Sequence, residues 1–141
     1  MEEVLGMNSL AAKRAMSSYQ NVERTKRDTN NPQELVSLLF TGLTDRIASA
    51  RKALADNDRI TRAEQVTKAQ KILFGLCQTL DFEKGGELAR NLFRLYDYSI
   101  NKLSEGHAQE SEECFEEVHD LISTVRNAWN DMPAVGNTSQ Q

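Results

Sequence analysis

Four stretches of the chain place apolar residues at steps of three and four, the spacing that lines them along one face of an α-helix. The first predicts a helix over about 33–56, with Val36, Leu39, Leu43, Ile47, Ala50 and Leu54 as its stripe. Asn31 or Asn30 is placed to cap it, Pro32 to take its first helical position and Glu34 its first turn. Residues 55–58, Ala-Asp-Asn-Asp, read as a short turn. The second helix, about 59–80, carries Val66, Ala69, Leu73, Leu76 and Leu80 at alternating short and long steps, the seam of a helical bundle.

The third stretch, about 86–104, is richer. Ala89, Phe93, Tyr96, Ile100 and Leu103 make one stripe, and Leu88, Leu92, Leu95 and Ser99 make another beside it. Gly85-Gly86 ahead of it suits a tight interhelical turn, because glycine tolerates positive φ, and Gly106 reads as a stop signal. The fourth helix, about 109–130, returns to a single seam of Phe115, Val118, Ile122, Val125 and Trp129. Its acidic first turns, with Glu110, Glu112, Glu113, Glu116 and Glu117, complement the positive end of a helix dipole. Pro133 ends it.

These elements predict an all-α fold, an antiparallel up-down four-helix bundle over residues 32–130. Residues 1–31 hold a weak helical pattern (Leu10, Met16, Tyr19) and then a polar run, which reads as a capping segment and linker; residues 131–141 read as a disordered tail. Gly42, in mid-helix, fits close approach of a neighbouring helix. The double stripe of the third helix covers a wider arc than a bundle seam uses. Leu35 and Leu38 on the first helix, and Ile72 and Phe74 on the second, add to this surplus. Either the core is wide, or the N-terminal segment packs there, or the arc is a groove for a partner's amphipathic or extended chain.

Composition narrows the classes. The chain has 141 residues, two prolines and seven glycines, which favours helix over a turn-rich all-β architecture. No apolar run approaches a membrane span, and the acidic N-terminus lacks a signal-peptide core, so a cytoplasmic protein without membrane insertion is expected. Cys77 and Cys114 lack metal-ligand spacing and read as free thiols. Residues 1–80 hold 12 Lys+Arg against 9 Asp+Glu, and residues 81–141 hold 5 against 12. That balance offers no dense basic patch and argues against nucleic-acid binding.

The search for catalytic chemistry is short. Glu116-x-x-His119 has the spacing found in di-iron bundles, but the required second motif is missing, and a polar helix rim explains it better. A phosphorelay role for His119 is opposed by Glu116, Glu117 and Asp120, which would repel phosphate. Lys84-Gly85-Gly86-Glu87 is too short for a phosphate loop, and Asp81 and Glu83 suit a helix start better than paired catalysis. No nucleophile, base and oxyanion site assemble, so the chain reads as a non-enzyme without cofactor or metal.

Three blocks carry a family resemblance: Lys68-Ala69-Gln70-x-Ile72; Leu80-Asp81-Phe82-Glu83-Lys84-Gly85-Gly86-Glu87-Leu88-Ala89; and Asn91-Leu92-x-x-Leu95-Tyr96-Asp97-Tyr98. Tyr19-Gln20-x-Val22, Asn31-Pro32-x-Glu34-Leu35-Val36, Glu117-Val118 and Ala128-Trp129 support it. From about Met16 to Pro133 the chain resembles the FliS family of flagellin export chaperones, departing from its pattern at Phe40 and at Glu105-Gly106. The resemblance implies a bundle that binds the disordered C-terminal segment of flagellin, with the flagellar export gate as a further contact. It also implies an N-terminal segment that covers apolar surface in the absence of client. Met16 and Tyr19 are then the expected clasp, and Leu35, Leu38, Ile72, Leu88, Leu92, Leu95 and Tyr98 the expected groove. Self-association as a homodimer would bury the same stripe without a client.

Overall fold

The computed structural model describes residues 31–132. The expected clasp residues Met16 and Tyr19, the rest of the 1–31 leader before Asn31, and the tail after Met132 lie outside the described residues.

Helix α1 spans Pro32–Ala55, α2 Arg59–Gln78, α3 Phe82–Gln109 and α4 Glu112–Asn130. Each start has a side-chain cap that accepts an otherwise orphaned backbone N–H. Asn31 accepts from Gln33 N, Asp58 from Thr61 N, Asp81 from both Glu83 N and Lys84 N, and Ser111 from Cys114 N. Connections this short force consecutive helices to run antiparallel. Cross-links agree with that direction: Trp129 at the end of α4 donates from Nε1 to Gln33 O at the start of α1, at 2.8 Å. At the other end, Arg51 of α1 donates from Nε to Glu112 of α4 at 2.8 Å.

Helix α1 packs on α2 and α4, and α3 packs on the other sides of α2 and α4, so the four form a closed bundle around one core. Phe40, Leu43, Ile47, Leu73, Leu76, Tyr96, Leu103, Phe115, Ile122 and Trp129 are fully enclosed there. The seams expected for α1, α2 and α4 are the buried faces, with Leu54 and Val125 half-buried at their margins.

Helix α3 differs from expectation in three ways. An extra turn from Phe82, capped by Asp81, precedes the glycines, and Gly86, with non-helical φ 52 and ψ −126, separates it from the long helix that starts where expected. It runs through Gly106 to Gln109, so Gly106 is no stop. Its buried residues are Ala89, Leu92, Tyr96, Ser99, Leu103 and Gly106, a single 3-4-3-4-3 seam drawn from both expected stripes. Phe93, placed in the first stripe, faces outward instead. Gly106 sits in the seam because α4 crosses it closely: a Cβ there would lie 2.9 Å from Cys114 Cβ and 2.9 Å from Phe115 Cε1.

Candidate functional site

The outward side of α3 carries the feature that the core does not use. Phe82, Leu88, Phe93 and Tyr98 are exposed, alongside Ile60 and Phe74 on α2. The break at Gly86 turns the first turn of α3 so that Phe82 meets Phe93 edge-to-face, centroids 6.1 Å apart at 73°. An unbroken helix would hold residues eleven positions apart about 16 Å from one another.

The seven expected groove residues divide by burial. Leu88 at 44% and Tyr98 at 43% relative exposure are open to solvent. Leu38 and Leu95 are half-buried against the core. Leu35, Ile72 and Leu92 are core side chains, Leu92 retaining 8% exposure. Leu88 and Tyr98 are thus open to solvent, Leu38 and Leu95 lie at the margin of the core, and the other three lie within it. Phe82 and Phe93, outside the expected set, are exposed too, but each five-residue step from Leu88 to Phe93 to Tyr98 rotates about 140° around the helix, so the Phe82–Phe93 pair lies on a different flank of α3 from Leu88 and Tyr98. The signal for them was the Gly85-Gly86 pair, whose turn brings Phe82 back along the helix.

Polar groups fix this face in place. Tyr98 donates its hydroxyl to Glu117 Oε2 at 2.6 Å, tying α3 to α4 while its ring stays outside; that bond is the main reason its pKa is raised. Lys102 Nζ lies 5.7 Å from the Tyr98 ring centroid, a cation–π contact. Gln70 of α2 donates from Nε2 to Ile100 O at 2.9 Å and to Ser104 Oγ at 2.8 Å. These links hold the helix without covering its outer surface.

Among the described residues no three His, Cys, Asp or Glu side chains lie together as a metal site, and no helix is long and apolar enough to cross a membrane. Cys77 and Cys114 are free, half-buried and buried respectively.

The described residues form a small helical bundle with a closed apolar core and exposed aromatic and aliphatic side chains on α3. Comparison with known proteins places it further: residues 15–135 match the model of the flagellar protein FliS, and the chain belongs to the FliS family. It is 37% identical over 120 residues to the flagellar secretion chaperone FliSB of Pseudomonas aeruginosa, covering 84% of this chain and 95% of that protein. It is 38% identical over 100 residues to the flagellar secretion chaperone FliS of Salmonella typhimurium, covering 70% and 74%. With FliS of Bacillus subtilis it shares 27% identity over 111 residues, covering 79% and 82%.

Proposed function

We propose that this protein is a cytoplasmic flagellar export chaperone, not an enzyme, that binds the disordered C-terminal segment of flagellin. It thereby prevents premature polymerisation and supports delivery to the flagellar secretion apparatus, with the export gate as a second contact. Membership of the FliS family supports the chaperone role. The observation that carries the binding mode is the set of exposed apolar side chains on α3, left out of a core that is closed without them.

Magnitudes shape the mode. Covering the exposed part of one such side chain is worth about 1 kcal/mol. Ordering a disordered client costs about 2–5 kcal/mol of the gross interaction energy. Phe82, Leu88, Phe93 and Tyr98 roughly offset that ordering only if the client wraps around α3 to reach both flanks, and they leave little surplus. Tight binding therefore requires a client that also covers the half-buried Leu95, runs beyond α3 to Leu38 of α1, and gains helical structure as it docks.

Co-purification tests the reading. Full-length flagellin is expected to be retained by the tagged protein. Flagellin lacking its last ~40 residues, enough for two or three average helices, is expected to pass through. Equal retention of both forms would place the client contact outside that segment.

A further inference from the structure

The last turn of α3 is fastened to the first turns of α2 by one buried arginine. Arg62 exposes 3% of its side chain. It donates from Nε to His107 Nδ1 at 3.0 Å and from Nη2 to the His107 carbonyl oxygen at 3.2 Å. A guanidinium has donors alone and stays protonated, so Nδ1 must supply a lone pair and the ring proton must sit on Nε2. A neutral imidazole is built into this contact.

The charged groups around the ring come from two elements. Arg62 and Arg59 belong to α2, and Glu110 belongs to the α3–α4 corner. Glu110 Oε2 lies 3.6 Å from Arg59 Nη1 and 4.0 Å from Arg62 Nη2. Glu110 adopts φ 53 and ψ 48, left-handed backbone that residues other than glycine rarely take. The acid that opens α4, Glu112, is engaged by Arg51 of α1. Burial first, then the Arg62 and Arg59 charges, hold the His107 pKa below the ordinary histidine value, with Glu110 opposing them.

We propose that the His107–Arg62 contact is an acid-released latch: neutral His107 fastens the α3–α4 corner to α2, and protonation of Nδ1 frees it. Protonation removes the acceptor for Arg62 Nε and sets a second cation against a buried one. In the unfolded chain His107 takes its proton near pH 6.5, and in the folded protein it does so lower. Between those values the unfolded state binds more protons, so the latch is complete above about pH 6.5 and is lost as pH falls through the lower folded value.

The test measures amide hydrogen exchange of the full chain, corrected for intrinsic rates, from about pH 7.5 to about pH 5, the range in which histidine titrates. Wild type is compared with His107→Gln, whose amide oxygen keeps an acceptor for Arg62 without titrating, and the His107 ring nitrogens are followed by NMR. The expected result is the Nε2–H tautomer at neutral pH, titration below the ordinary value, and a roughly tenfold acid-induced loss of protection over residues 104–112 in wild type alone. An Nδ1–H tautomer, titration at or above the ordinary value, no loss of protection, or an equal loss in both proteins overturns the proposal. If His107→Gln does not fold, the wild-type ring titration decides by itself.

Discussion

Tyr96 has a fully enclosed side chain whose hydroxyl finds no hydrogen-bond partner among the described residues. Burial, and secondarily Cys77, raise its pKa, so the phenol stays neutral while forgoing the bonds it would make in water. An unsatisfied buried hydroxyl is a cost, and Tyr96→Phe removes it without opening a cavity. The variant is expected to be more stable by about 1 kcal/mol in urea denaturation; a loss of stability would show that the hydroxyl is satisfied. Cys77 lies in the same region, half-buried, and burial followed by the Asp97 charge pushes its thiol up to about 11. At neutral pH it is therefore almost wholly thiol, and it should react with a thiol reagent more slowly than a free cysteine does. Two helical glycines should respond oppositely to alanine. At Gly42 an added Cβ meets Ile72 Cδ1 at 3.7 Å, an ordinary contact, so the expected close approach of a neighbouring helix does not explain glycine there. Gly42→Ala is expected to stabilise by about 0.5–1 kcal/mol, the helix-propensity gain. At Gly106 the same change strikes Cys114 Cβ and Phe115 Cε1 at 2.9 Å. Gly106→Ala is expected to lose about 1–3 kcal/mol to overpacking.

Helix α3 shows at the scale of an element how far periodicity reaches. For α1, α2 and α4, one apolar stripe per helix was legible, and it is the buried face in each. In α3 two stripes stood about one residue apart, and hydrophobicity cannot decide which way such a helix turns. Its neighbours decide. The chosen seam includes Ser99, which satisfies its hydroxyl on Leu95 O at 2.9 Å, and Gly106, which lets α4 approach. Both are small rather than apolar, so a count of apolar positions undervalues them. That rotation also sorts the expected groove, sending Leu92 inward and Leu88 and Tyr98 outward. At the start of α3 the expected glycine turn is present: Gly86 adopts positive φ and non-helical ψ between a short capped turn from Phe82 and the long helix that follows. A Cβ at Gly86 meets nothing within 4 Å, so any penalty there is backbone strain alone. Gly86→Ala is expected to cost about 1–3 kcal/mol. It should also separate Phe82 from Phe93, observable as lost nuclear Overhauser contacts between the rings. A variant with wild-type stability and intact ring contacts would show that the turn needs no glycine.

At the scale of the molecule, the buried seam of α3 and its exposed apolar residues, the proposed docking surface, lie on different sides of the helix, and aspartate substitutions can pull their roles apart. Leu92 touches the core with 8% of its surface exposed. A carboxylate there leaves a cavity and an unpaired buried charge, an expected loss of about 3–5 kcal/mol. Against a total of about 5–15 kcal/mol for a folded domain, Leu92→Asp should unfold the protein at modest denaturant, as Leu73→Asp should. Leu88, at 44% exposure, has water in place of core on its outer side. Leu88→Asp should change stability by no more than about 0.5 kcal/mol. If flagellin docks on this face, the same variant forfeits about 1 kcal/mol of apolar contact and must also desolvate a charge. Together these predict at least a roughly tenfold weaker complex, since each 1.4 kcal/mol is a factor of ten in Kd. Circular dichroism melts beside titration calorimetry with the client's C-terminal segment would measure both quantities on one sample. A Leu88→Asp protein that stays folded and binds undiminished would remove the outer face of α3 as the docking surface. Loss of binding with the melt unchanged would instead tie the exposed side of α3 at Leu88 to the client, apart from the buried Leu92 that holds the helix on the core.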